Sequence, residues 1–184
     1  MESIYKNCPT FETRSFIIRL VDKRDANDLL SCYSDLKSQE LFNDDNCPMD
    51  FNIFTIDKMK QYIDVWLNAY DQEEYIRFSI IDKLYGKAIG TIEMFGMVGK
   101  YKTDTGVLRN DLSSNYEKEF LLKEIVDVCI INFYMLFGVE TIATKAIDKA
   151  SCRINVLTES GFSKKEFKGR NHYYIRIKEV IYGL

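Results

Sequence analysis

Apolar residues recur along this chain in two rhythms, and the longer rhythm is clearest near the middle. From Leu122 they fall at positions 122, 125, 126, 129, 130, 133, 136 and 137, the spacing of one broad helical face, while Lys123, Glu124 and Asp127 share the opposite side. The helix is expected over about 116–136. Just before it, Gly106, Val107 and Leu108 are strand-like and 111–115 is a turn-rich polar cluster. A strand therefore feeds a long helix through a short loop. Ile56, Met59, Ile63, Trp66, Leu67 and Tyr70 form a second helical face behind Thr55 as N-cap, which puts Trp66 in the core. Ala26, Leu29, Leu30 and Tyr33 form a third behind Asp22, and a last helix over 149–160 is closed by Gly161 just past its end.

The two-residue rhythm marks strands at 14–20, 75–81, 87–94, 140–146, 162–167 and 173–181, with a five-residue hairpin loop from Asp82 to Gly86. The polar stretch 37–52, which contains Pro48, reads as a loop. The resulting order, β-α-α-β-β-β-α-β-α-β-β, predicts a mixed α/β (α+β) domain with six or seven strands and an antiparallel meander of three consecutive strands. It is not the strict alternation of a doubly wound fold.

Composition narrows the picture. At 184 residues, 46% hydrophobic and 29% charged, with two prolines and nine glycines, 1–184 reads as a single domain without a linker or repeat. A net charge of −3 offers no footprint for general nucleic-acid binding, and Lys164, Lys165, Lys168 and Arg170 read as solvated strand ends. No leader pattern or run of ~18 apolar residues is found, so a cytoplasmic protein without membrane contact is expected. Cys8, Cys32, Cys47, Cys129 and Cys152 are scattered, without the spacing of a disulfide framework or a zinc site.

Several short segments resemble one known family. Glu12-Thr13-Arg14-Ser15-Phe16-Ile17-Ile18-Arg19 is similar to the opening E-T-x-R-L-x-L-R of the GNAT acetyl-CoA-dependent N-acetyltransferases that act on N-terminal amines, including those of ribosomal proteins. Asp25 falls where that branch has an acidic residue in its first helix. Gly86-Lys87-Ala88-Ile89-Gly90-Thr91-Ile92 resembles its third strand, and Val156-Leu157-Thr158-Glu159-Ser160-Gly161-Phe162 resembles the close of its last helix. The resemblance implies a GNAT-like fold, acetyl-CoA as donor, and a primary amine as acceptor, either a protein N-terminus or a small metabolite. A monomer and a homodimer both fit it.

Amine acetylation needs a bound thioester, a neutral amine and a proton for the leaving sulfur. On the implied fold, Glu93 near the end of the third strand is the first candidate base, and Asp111 is the second. Tyr116 is the candidate acid. The donor is expected to lie along the backbone of Val107, Leu108, Arg109 and Asn110. Its pyrophosphate would meet the loop of Ser113, Ser114, Asn115, Tyr116 and Glu117, and Arg153 would supply a charge to a phosphate. The chain departs from the family in that loop. No glycine occurs from Asp111 to Glu119, Glu117 and Glu119 are expected in the first helical turn, and Ser114-Asn115-Tyr116-Glu117 has the pattern of a capping box. Ala150, Arg153 and Leu157 replace an Asn, a Ser and a Tyr common in the last helix of the family. Weak donor binding is expected, and a non-catalytic protein on the same fold is the second reading. His172, in a polar turn, reads as a surface residue.

Overall fold

The structure is a computed structural model that describes residues 3–43, 45 and 51–179. Cys47, Pro48 and the end of the expected last strand (180–181) lie outside the described residues. The elements run β1 Phe11–Glu12, β2 Phe16–Leu20, α1 Ala26–Tyr33, α2 Leu36–Gln39, α3 Ile56–Asp71, β3 Ile76–Asp82, β4 Lys87–Met94, β5 Thr105–Leu112, α4 Glu119–Phe137, β6 Thr141–Lys145, α5 Ser151–Glu159, β7 Ser163–Lys164 and β8 Tyr173–Ile177.

The strands form one mixed sheet in the order β1-β2-β3-β4-β5-β6-β8-β7, and the expected meander is β3-β4-β5. Every pairing is antiparallel except β5 with β6, which are parallel and joined through α4. The sheet has one strand more than the expected upper count of seven, because two-residue β1 is too short to show alternation. β7 also shrinks to two residues. Lys168 (φ 51°) and Gly169 (φ 78°) form a tight turn across the Phe167–Arg170 bridge, and the chain is already reversing there.

Alternation divides the core in two. Phe78, Ile92 and Leu108 point to one face and pack under α4, whereas Arg77, Thr91, Glu93, Arg109 and Asp111 point to the other, toward α1 and α3. Tyr33, Met59, Ile63 and Trp66 fill that second layer, so the stripe read for α3 is a core face. Thr55 caps α3 by accepting from Lys58 N (3.3 Å). Asp22 caps a short 3-10 turn leading into α1, and Asp25 returns the bond to Asp22 N (3.0 Å) while clamping Arg19 (2.6 and 2.9 Å). No helix among the described residues is long and apolar enough to cross a membrane.

Three expectations change. The loop over 37–52 contains the single turn of α2, started by Asp35, which accepts from Lys37 N (3.0 Å). β5 continues through Asp111 and Leu112, both buried, rather than turning there. α4 starts at Glu119 instead of near 116, and no capping box forms: Ser114 Oγ donates instead to Asp35 (2.6 Å) and Ser114 N to Ser38 Oγ (2.8 Å).

Candidate functional site

Register places the charged groups. Arg77 of β3 stands opposite Glu93 of β4, which stands opposite Arg109 of β5, so three neighbouring strands carry a cation, an anion and a cation on one rung. Ser79, Thr91 and Asp111 occupy the adjacent rung. Arg77 Nε donates to Glu93 Oε2 (3.1 Å), and its Nη2 also bonds that oxygen. Its Nη1 reaches Tyr33 Oη (2.8 Å), Thr91 Oγ1 (3.0 Å) and Asp111 Oδ2 (2.9 Å). Arg109 Nη1 donates to Glu93 Oε1 (2.8 Å) and its Nη2 to Asp45 O (2.9 Å). Arg77 is 1% exposed, so these bonds replace water for a charge that burial otherwise penalises. Burial works against the guanidinium, but Glu93, Tyr33 and Asp111 outweigh it and hold the pKa of Arg77 above the ordinary arginine value. The ring of Trp66 covers the same guanidinium at 4.4 Å.

Over this rung opens a cavity of about 770 Å³. Arg77, Glu93 and Arg109 form its floor, Trp66 of α3 one wall, and Tyr173 of β8 another. Tyr173 Oη donates to Asp45 (3.1 Å), which also pairs with Lys145 of β6 (3.1 Å).

Behind the sheet, β5 has a divided allegiance. It pairs with β6 only from Thr105↔Thr141 to Leu108↔Thr144, and with β4 only from Glu93↔Arg109 to Gly90↔Leu112. Past Leu108 the parallel strands part, and the edge of β5 from Arg109 to Leu112 faces a slot between α4 and α5. Leu108, Asn110, Leu122, Val126, Thr144 and Arg153 line it, and it holds only about 20 Å³, room for about one water. Its own side chains fill the rest. Arg153 (6% exposed) grips Glu117 through Nε (3.0 Å) and Nη2 (2.5 Å), and its Nη1 donates to Leu41 O (2.9 Å). Asn110 Oδ1 is buried here without a hydrogen-bond partner among the described residues.

The structure thus brings some of the candidate residues together and separates others. Glu93 lines the cavity, and Val107 and Arg109 join it with their side chains, while Leu108 and Asn110 face the slot. Asp111 is fully buried beneath Arg77 and Tyr33, where it anchors the rung without lining the cavity. Tyr116 is elsewhere. Its hydroxyl donates to Asp82 (2.7 Å), five residues along β3 from Arg77 and so about 17 Å from the rung. Burial and that bond raise its pKa. The loop groups are also engaged: the N–H groups of Ser113, Ser114, Tyr116, Glu117 and Lys118 already have acceptors within the protein, and Asn115 is exposed. Glu117 precedes α4 and pairs with Arg153, so the two are partners rather than a repelling and an attracting charge. Glu119, in the first turn as expected, accepts from Asn155 (2.6 Å). Sequence reading missed Arg77, Tyr33 and Asp45. An arginine at an inward position of an otherwise apolar strand was the available signal for the first.

No protein-family model matches the sequence, and no curated protein matches it. Solved structures do match the fold. The ribosomal-protein-S5-alanine acetyltransferase of Vibrio fischeri superposes with a TM-score of 0.69 at 18% identity, covering 93% of this chain and 97% of that one. RimL, a ribosomal L7/L12 alpha-N-protein acetyltransferase in complex with coenzyme A, gives 0.70 at 9% identity over 92% and 98%. Mycobacterium smegmatis RimJ, in complex with a CoA disulfide, gives 0.69 at 13% over 88% and 81%. The fold is that of the GNAT acetyltransferases, as the sequence resemblance implied.

Proposed function

We propose that this protein is an N-acetyltransferase that moves the acetyl group of acetyl-CoA to a primary amine. The observation that carries the reading is the fork between β5 and β6, with a free strand edge beside it and a carboxylate-floored cavity on the opposite face of the sheet. The edge from Arg109 to Leu112 offers backbone N–H and C=O groups to the amides of the pantetheine arm, a contact independent of side-chain identity. The thioester then reaches through the fork to the cavity. The amine nitrogen attacks the carbonyl carbon, the C–S bond breaks, and the sulfur leaves as a thiolate. Glu93 takes the proton lost by the amine, directly or through one water, and Arg77 and Arg109 hold its carboxylate in place. Asp111 is a positioning residue that acts through Arg77.

The filled slot sets the condition for donor entry. The side chains around Arg153 must shift, and once Arg153 leaves Glu117 its guanidinium is available to a donor phosphate. Calorimetric titration with acetyl-CoA, followed by release of free CoA thiol in the presence of an amine panel, tests the reading. Saturable binding with amine-dependent thiol release is expected. Absence of both would overturn it.

A further inference from the structure

The walls of the cavity point to the acceptor. Eight of its sixteen lining residues are aromatic, against 14% of the whole chain. They close in from three sides: Tyr62 and Trp66 meet edge to face (centroids 6.3 Å apart) on α3, Phe95 and Tyr101 do the same (5.6 Å) beyond β4, and Phe167 leans on Tyr173 (5.1 Å) at the β8 side. Such rings offer flat faces and edges to another ring. A volume near 770 Å³ is in the range of pockets that enclose a small molecule.

The charges exclude other occupants. Each carboxylate lining the cavity already has a cation: Glu93 has Arg77 and Arg109, Glu74 has Lys100 (2.5 Å), and Asp45 has Lys145. The face of Trp66 that would attract an ammonium is covered by Arg77. A polyamine would therefore bring several charges to a cavity with no uncommitted carboxylate among the described residues. A peptide would bring a backbone that needs main-chain partners, whereas the rung that floors the cavity presents the side chains of Arg77, Glu93 and Arg109. Resting on the acetyltransferase reading, we propose that the acceptor is a small monoamine with a flat aromatic body, which packs among the rings and directs its nitrogen to Glu93.

Trp66 is the only tryptophan of the chain and stands in the cavity wall, so its fluorescence reports occupancy without any reaction. The purified protein would be titrated with phenethylamine, hexylamine, spermidine and an alanine-initiated tetrapeptide, and thiol release from acetyl-CoA measured with each. Phenethylamine is expected to perturb the fluorescence at a concentration at least tenfold below the others and to give at least tenfold higher kcat/KM. Tyr101→Leu, at a half-exposed position where folding is not at stake, should reduce that preference severalfold. Equal or better binding and turnover with spermidine or the peptide overturns the acceptor class while the transferase reading stands. Selective phenethylamine binding without thiol release from any amine overturns the transferase reading and makes the cavity a binding site for an aromatic amine, not an acceptor site.

Discussion

Glu93 owes its surroundings to its neighbours across the sheet, because the residues opposite it on both sides are arginines. Glu93→Gln keeps the shape and an acceptor oxygen but cannot take a proton. We expect kcat to fall by ~10²-fold or more with little change in acetyl-CoA affinity, measured by thiol release and calorimetry. An unchanged rate would remove Glu93 from the chemistry. Arg77→Met tests the rung itself. It leaves Glu93 and Asp111 buried without their shared cation, and a loss of about 3–5 kcal/mol is expected in urea unfolding. Glu117→Gln acts in the other direction on binding. By weakening the hold on Arg153 it is expected to tighten acetyl-CoA binding severalfold in calorimetry, with a lower melting temperature. Unchanged acetyl-CoA binding would show that the pair does not hold the slot shut.

At the scale of elements, close backbone approach limits what the sheet tolerates. A Cβ on Gly90 would lie 2.2 Å from Asp111 O, so β4 and β5 run side by side only because that position lacks a side chain. Gly90→Ala is expected to cost about 1–3 kcal/mol in denaturant unfolding, as an overpacked contact does, and to displace the strand that carries Arg109. Most elements were legible because their signals are local: the 3.6-residue stripes of α3 and α4, Thr55 and Asp22 as caps, and Gly161 (φ 81°) past the end of α5. What could not be read depended on distant partners. Ser114 has the local pattern of a cap, but Asp35 and Ser38, far back in the chain, claim its hydroxyl and N–H. Likewise Asp111 looks like a turn residue until Arg77 and Tyr33 are brought over it, and Tyr116 is drawn to Asp82 rather than to the fork. The place of Glu93 near the end of β4, which puts it in the cavity floor, could be read without knowing its partners.

For the whole molecule, tyrosines set the alkaline limit of stability. Tyr5, Tyr33, Tyr70, Tyr116, Tyr134 and Tyr173 all have raised pKa values, with burial the leading cause in each. In the unfolded chain each ionises near pH ~10. Below that pH both states keep these protons and stability is unaffected. Above it the unfolded chain releases protons that the folded one retains, so stability falls as pH rises. Melting temperatures recorded against pH should drop progressively above ~10, and the ultraviolet signal of these tyrosinates should appear with unfolding, not ahead of it. Complete titration in the folded protein would contradict this. The single parallel pairing of the sheet carries a consequence in time. β3 and β4 meet across a four-residue loop, whereas Thr105 finds Thr141 only after the whole of α4 has been spanned. Closing that longer loop costs more entropy, and contacts of this kind form late. The strands before α4 and those after it are thus expected to assemble as two sub-sheets, with the β5–β6 seam zipping last. The fork is created by that final step, so a donor present during refolding has nothing to bind until the barrier is crossed. Acetyl-CoA should then slow unfolding and leave the refolding rate unchanged.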